Sequence, residues 1–237
     1  MKLEELEASE AQEPFSRPQS RVKDATSFIW GAWKVRPRGR RAIWVLALLM
    51  AVSGAGMLTY PFLTNLYSSV RQSQLTKEFQ SPEFESAFAT GDIAPGQVLT
   101  RITIASIGVN ALIVEGTEPA ALRAGAGHYE QTALPCEPGN VGIAGHRTTY
   151  GKPFNQLDEL RTGDIIELTT PTGNCKYRVV DGPAGSPRPR RGSPTWVTHP
   201  RDGAVLNPMD GHFLTLTTCH PKGSAAKRLI VRAELVG

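Results

Sequence analysis

The stretch HFLTLTTC, His212 to Cys219, reads as a β-strand that delivers a thiol at its end. Leu214 and Leu216 alternate with Phe213, Thr215 and Thr217, the period of two that gives a strand one buried and one open face. His220 and Pro221 close the run, and a second β-patterned run, KRLIVRAEL (Lys227–Leu235), follows after a short turn. If these two pair antiparallel, the start of the second lies beside the end of the first, next to Cys219. Five more runs of this kind precede them: RITIASIG (Arg101–Gly108), VNALIVEG (Val109–Gly116), NVGIAGH (Asn140–His146), GDIIELTTPTG (Gly163–Gly173) and CKYRVVDGP (Cys175–Pro183). Short strands separated by Gly, Pro, Asn and Asp turns predict an antiparallel barrel or sandwich. Two short helical insertions are predicted at Pro119–Gly125 and Pro153–Leu160. One connection is long, Pro183–Gly211, and carries the Pro- and Arg-rich GSPRPRRGSP. Loops of that length inside a compact domain are functional or disordered, and this one runs into the strand that ends at Cys219.

The N-terminal third has a different character. Residues 1–41 hold nine Lys or Arg and six Asp or Glu, with five of the basic residues in Lys34–Arg41. Ala42–Phe62 then gives 21 residues without a charge, enough for a helix across a bilayer core. Basic residues before it and few after it place the N-terminus in the cytoplasm. A cleaved signal peptide is the competing reading, with small residues in SGAG near a cut, but the leader and the apolar run are both too long for one. The expected organisation is a cytoplasmic disordered tail over 1–41, a transmembrane anchor over 42–62, a juxtamembrane linker over 63–92 and an extracytoplasmic domain over 93–237. The basic cluster is then a topology signal, not a nucleic-acid patch.

Three cysteines are an odd number for such a domain. None stand at C-x-x-C spacing, so no structural metal site is expected. Cys136 and Cys175 either pair or stay free, and Cys219 is the candidate reactive thiol. A free thiol titrates near ~8.5, so a nucleophilic one needs a base within reach and a cation for the oxyanion. His128, His199 and His212 lie in turn contexts that suit structural roles. His220 neighbours Cys219, but alternation along a strand sends it to the other face. His146, just past the apolar run NVGIAGH, is the candidate base. Among cations, Arg228 and Arg232 lie four apart on the last run and share a face.

Three blocks together carry a resemblance: GHYEQTALPCEPGNVGIAGHRTTYGKPFNQLDELRTGD (Gly127–Asp164), LTLTTCHP (Leu214–Pro221) and KRLIVRAEL. They resemble the signature blocks of sortases, the cysteine transpeptidases of Gram-positive cell surfaces, with TLTTC matching the family's T-L-x-T-C. GHRTTYGKPF resembles the class E sortases of actinobacteria in particular. The chain departs from class E at Gly223, where an aromatic residue is usual, at Cys136, and in its longer basic loop. The resemblance implies an all-β fold with short helices, a closed eight-stranded β-barrel. In it His146 follows the fourth strand, Cys219 ends the seventh and Arg228 lies on the eighth; the third strand falls near GHYEQT.

It also implies a reaction without cofactor or metal. Cys219 attacks the threonine carbonyl of an LAXTG- or LPXTG-type sorting signal on a surface protein and forms a thioacyl enzyme. His146 serves as acid and base, and Arg228 holds the substrate and oxyanion. Thr218 is a further candidate oxyanion donor. The implied acceptor is an amine of a peptidoglycan precursor. A papain-like enzyme would have Cys before His, an L,D-transpeptidase would need S-x-G-C, and a chymotrypsin-like protease would want Gly about the nucleophile. A pilin-polymerising sortase and a non-catalytic membrane-anchored β-barrel binding module are the remaining alternatives.

Overall fold

Helix α1 (Pro37–Phe79) opens the computed structural model, which describes residues 37–236. The expected tail over 1–41 therefore lies mostly outside the described residues. α1 is long and apolar enough to cross a membrane. Up to residue 54 it forms a unit apart from the rest, which begins at Ala55.

The sequence reading places a linker over 63–92, and the structure makes it helical. α1 continues to Phe79, and α2 spans Pro82–Thr90. The signals for α2 lie in SPEFESAFATG. Ser81 caps the first turn by accepting from the Phe84 amide, Pro82 takes the first helical position, and Glu83 and Glu85 face the positive end of the dipole. Gly91, left-handed at φ 70°, ends the helix. Phe84 packs against Phe79 and Phe88, with ring centroids 5.3 and 5.9 Å away. That i, i+4 aromatic pair is too short a pattern to register as a period beside a membrane segment.

The strands are β1 (Val98–Ile104), β2 (Val109–Glu115), β3 (Ala126–His128), β4 (Gly139–Gly145), β5 (Ile165–Thr170), β6 (Gly173–Val180), β7 (Trp196–Thr198), β8 (His212–His220) and β9 (Lys227–Leu235). Helix α3 (Pro119–Ala124) sits between β2 and β3, as expected. Pro153–Leu160 forms only turns and a 3-10 turn at Leu157–Glu159. The sheet order β6-β5-β1-β2-β3-β4-β8-β9 closes on itself through β6–β9, giving the eight-stranded barrel. The short β7 attaches to the N-terminal half of β9, beside the stretch that β6 pairs with. It lies within the long basic connection and makes Cys219 and Arg228 part of the eighth and ninth strands in chain order. Two pairings, β2–β3 and β4–β8, are parallel rather than antiparallel. Each joins strands separated by a long crossover, as parallel neighbours require.

Inward-facing residues fill the barrel: Ile102 and Ile104 from β1, Val141 and Ile143 from β4, Leu214 and Leu216 from β8, Leu229 and Val231 from β9. A second cluster lies outside the barrel wall. There Leu75 of α1, Phe84 of α2 and Ala121 and Ala124 of α3 cover Leu112 and Val114 of β2. Stripping α1 from β2 would expose both leucines to water.

Cys136 and Cys175 pair as a disulfide with Cα atoms 5.6 Å apart, tying the β3–β4 loop to β6. The bond fits an oxidising compartment. It spans 39 residues, and the chain-entropy account gives such a loop about 4 kcal/mol of stabilisation. The double variant Cys136→Ser/Cys175→Ser should lose most of that in urea denaturation while remaining active at low temperature. Equal stability with and without the bond would contradict this.

Candidate active site

The strand formed by NVGIAG, β4, and the strand that carries TTC, β8, are parallel neighbours. Gly139 pairs with His212 and Ala144 with Thr217, so His146, two residues on, stands level with Cys219, two residues past Thr217. On the other side of β8, Arg228 is the direct antiparallel partner of Cys219. The three candidates thus sit abreast at one rim of the barrel, with strand spacings of about 5 Å. Since Leu214, Leu216, Val141, Ile143, Leu229 and Val231 face the core, alternation turns Cys219, Thr217, Arg228 and Ile230 outward. Cys219 is free and partly exposed. A cavity of about 180 Å³ opens beside it, lined by Thr217, Arg228 and Ile230 on the strands and by Tyr129, Arg201 and Leu206 above them.

His146 is half-buried, and desolvation holds its pKa below the usual histidine value. Among the described residues its imidazole takes no hydrogen bond. It rests instead on the ring of Tyr150, 5.1 Å between centroids and tilted 36°. Its carbonyl accepts from the Phe154 amide at 3.2 Å. The preceding Gly145 leaves room for that turn, because a Cβ there would lie 2.5 Å from the Phe154 ring.

Arg147 went unnoticed in the sequence and proves central. It is 3 % exposed. Its Nη1 donates to the Cys219 carbonyl at 3.3 Å and to His220 Nδ1 at 2.8 Å, and its Nη2 meets Asp158 Oδ1 at 2.8 Å. Asn155 Nδ2 donates to the Arg147 carbonyl at 2.7 Å. One guanidinium therefore ties the segment after β4 to the end of β8. Its acceptance of an arginine N–H leaves His220 Nδ1 unprotonated, and burial followed by the Arg147 charge lowers the His220 pKa. The signal was present: alternation sends the residue after His146 to the opposite, inward side, where a charge must find partners.

Of the two donors Thr218 offers, hydroxyl and amide, the hydroxyl is engaged away from the thiol. The Thr218 side chain lies on the inner face and is buried, and its hydroxyl donates to the Gly145 carbonyl at 2.7 Å. That bond pins β8 to β4 and removes the hydroxyl from the thiol's side. Thr217 is the threonine that faces outward with Cys219, with its hydroxyl 3.0 Å from that of Tyr129. Arg232 stands opposite Thr215, donates to Thr215 Oγ1 and to the Val205 carbonyl, and stacks over Trp196. It thereby fastens the long connection to the outer face. Within that connection Arg188 donates to the carbonyls of Gly182, Ser193 and Pro194, a folded loop rather than a solvated one. His128 is fully buried, with Nδ1 3.0 Å from the Glu115 carboxylate and Nε2 2.9 Å from the Ala133 carbonyl. His199 accepts from its own turn at the Arg201 amide. No three His, Cys, Asp or Glu side chains gather at metal-binding distances among the described residues.

A sequence profile of the sortase domain matches residues 102–236. Sortase SrtE1 of Streptomyces coelicolor is 30% identical over 212 residues, covering 83% of this chain and 57% of its own. Sortase D of Bacillus subtilis is 30% identical over 145 residues, 60% of this chain and 65% of its own. The chain thus spans less than two thirds of the length of these curated relatives. Among solved structures, Clostridium perfringens sortase D5 transpeptidase has a TM-score of 0.58 and 32% identity, covering 72% of this chain and 99% of its own. Sortase E of Streptomyces avermitilis has 0.51 and 33%, covering 61% and 91%.

Replacing Arg147 by alanine removes the charge that Asp158 faces. Breaking a fully buried pair costs ~3–5 kcal/mol. Asp158 is 20% exposed and has Lys222 and Arg190 near it, so a smaller loss is expected. Arg147→Ala should lose roughly 2–3 kcal/mol in urea denaturation after that discount, and Arg147→Lys about half as much. A loss under ~0.5 kcal/mol, the range of ordinary surface changes, would contradict the bridging role.

Proposed function

The chain belongs to the sortase family, and from that premise we propose that it is a membrane-anchored transpeptidase with Cys219 as nucleophile, His146 as acid–base and Arg228 as oxyanion and substrate-positioning donor. The observation that carries the reading is the shared register: Cys219 on β8 lies between His146 on one neighbour and Arg228 on the other. A bent, polar rim over a rigid barrel is where three such groups can meet one carbonyl.

The steps balance with these groups alone. The thiol gives its proton to His146 as sulfur attacks the threonine carbonyl of the sorting signal. Negative charge grows on the carbonyl oxygen, where the Arg228 fork can meet it; among the described residues Arg228 Nη1 bonds only the Ala225 and Lys227 carbonyls of its own turn. His146 then protonates the departing glycine amine, the C–N bond breaks, and a thioester to Cys219 remains. An incoming amine loses its proton to His146, attacks the thioester and releases the thiol. A Clostridium perfringens sortase C, 27% identical with a TM-score of 0.53, is a neighbour solved with a C-terminal cell wall sorting motif. That neighbour supports a sorting-motif peptide as substrate, of LAXTG or LPXTG type in this reading, and the class E resemblance of GHRTTYGKPF favours LAXTG. The acceptor in this reading is an amine of a cell-wall precursor.

The location follows the same reading. α1 crosses the membrane once, with the basic cluster on the cytoplasmic side and the barrel outside, where the Cys136–Cys175 disulfide persists. Partial exposure of Cys219 favours an enzyme over a binding module with an inert buried thiol. The segment before β1 packs on β2 through Phe84, so it supports a housekeeping enzyme over a lidded pilin polymerase.

Full-length protein in detergent micelles, given LAXTG and LPXTG peptides and a panel of amines, tests the assignment. Cys219→Ala should abolish cleavage and transfer and leave the fold intact. Arg228→Ala should lower kcat by about 10²–10³, the usual cost of one oxyanion donor. Arg228→Lys should recover little, since lysine lacks the planar fork. Arg232→Ala should stay within about tenfold of wild type, since its partners Thr215, Val205 and Trp196 lie away from the oxyanion. An active Arg228→Ala beside a dead, folded Arg232→Ala would overturn the choice.

Burial also sets the pH profile. A lowered histidine pKa keeps the imidazole neutral as pH falls through its ordinary value and charges it only below that. The acid limb of kcat/KM should therefore centre below about 6.5. A limb centred at 7 or above would contradict the burial of His146 in the working enzyme.

A further inference from the structure

Three successive residues in the loop after His146 lie in the left-handed region: Tyr150 at φ 50°, Gly151 at 74° and Lys152 at 42°. For residues with a Cβ that conformation costs roughly 1–2 kcal/mol each, so neighbouring structure has to hold it. Within the loop the Lys152 amide donates to the Thr149 carbonyl at 2.9 Å, the Asn155 amide to the Lys152 carbonyl at 3.1 Å and the Phe154 amide to the His146 carbonyl at 3.2 Å, but none of these bonds engages the Gly151 amide.

The Gly151 amide is held from the anchor helix. Asn65 Oδ1 accepts from the Gly151 amide at 3.0 Å. Ser68, one turn on, lies so close that a Cβ on Gly151 would sit 2.8 Å from its hydroxyl. The hydroxyl of Tyr60 stands 3.5 Å from that of Tyr150. This part of α1 is itself locked to the barrel. Gln72 Nε2 donates to the carbonyls of Leu112 and Ala124, both at 3.0 Å, while its Oε1 accepts from the Leu112 amide at 2.8 Å. Glu78 Oε1 accepts from the Val98 amide at 3.0 Å, and Leu75 is fully buried. The helix is a fixed strut on β1 and β2, and Asn65 extends from it to the loop.

The held segment matters because Tyr150 is the ring against which His146 rests. With no hydrogen bond to its imidazole among the described residues, His146 has its side-chain orientation set by packing. Behind the loop, Ser68, Gln72, Tyr150, Lys152 and Asn155 border a cavity of about 390 Å³, room into which the loop can relax once released.

We propose that the anchor helix is part of the catalytic apparatus: Asn65 is a positioning residue that holds Tyr150–Lys152 left-handed and so sets the His146 ring opposite Cys219. The inference rests on the acid–base role of His146 given above. It means that anchor and active site are built as one piece, so that a barrel cut from its helix loses turnover before it loses substrate binding.

The test uses full-length protein in detergent micelles, with steady-state kinetics on a sorting-signal peptide and thermal unfolding. Asn65→Leu keeps the size and removes the acceptor; Asn65→Asp keeps an acceptor oxygen. Misplacing a reacting group by about 1 Å costs up to 10²-fold, so Asn65→Leu should lower kcat at least about tenfold. Its KM should stay within threefold, and its Tm within a few degrees. Asn65→Asp should return kcat to within about threefold of wild type, because the bond that matters accepts from Gly151. Gly151→Ala pushes the loop off Ser68 by a route that leaves the helix untouched, and should reproduce the selective fall in kcat. The inference is overturned if a folded Asn65→Leu turns over like wild type, or if Asn65→Leu and Asn65→Asp lose activity alike. Should Asn65→Leu not fold, Gly151→Ala alone decides. A wild type that turns over and a dead Cys219→Ala, beside an unaffected Asn65→Leu, would sink this inference and leave the transpeptidase reading standing.

Discussion

The pairing of β8 with a parallel neighbour on one side and an antiparallel one on the other is the constraint on which the site depends. A strand has a side-chain period of two, so a slip of one residue against either neighbour would turn Cys219 inward or carry His146 or Arg228 out of line. What prevents the slip is apolar. Leu214 and Leu216 are fully buried between Val141 and Ile143 of β4 and Leu229 and Val231 of β9. The core thus chooses the register, and the register chooses which three polar groups meet at the rim.

Barrel strands fray where their ladders end, and the functional groups here lie at those ends. Two polar ties replace the missing ladder bonds. The Thr218 hydroxyl closes onto the Gly145 carbonyl, and Arg147 joins the Cys219 carbonyl, His220 and Asp158. Burying a guanidinium carries a large desolvation penalty, and an apolar residue of the same size would often give a more stable protein. Its value at this position is geometric: five fixed donors on a planar fork can grip two chain segments at a set separation. The long basic connection is treated in the same way, with Arg188 bonding its own carbonyls and Arg232 holding Val205 from below.

α1 answers to two environments. Its apolar length satisfies the requirement of a bilayer. Its later turns bury Leu75 against β2 and spend the polar ends of Gln72 and Glu78 on backbone groups of β1 and β2. Those side chains act as substitutes for a further strand on groups that would otherwise face apolar surface, where an unpaired backbone donor is costly.

The sequence by itself determined what local pattern and residue chemistry can determine. Alternation located seven strands, uncharged length located a helix able to cross a membrane, and residue type with chain order marked His146, Cys219 and Arg228 as candidates. The sequence alone could not separate Arg228 from Arg232 without assuming a pairing; the observed pairing places Cys219 opposite Arg228 and Thr215 opposite Arg232. Alternation alone missed β3 and β7, because three residues are too few to show a period, although the family resemblance put a third strand near GHYEQT, where β3 lies. It passed over the capped helix in SPEFESAFATG, whose single turn-to-turn aromatic pair was lost beside the membrane run. Only tertiary structure decided that Cys136 pairs with Cys175, that the Thr218 hydroxyl faces away from the thiol, and that Arg147 and Asn65 serve the histidine segment. Each of these is a contact between residues far apart in the chain, whose meeting depends on how strands are ordered around the barrel. Nothing in the local spacing of side chains encodes that order.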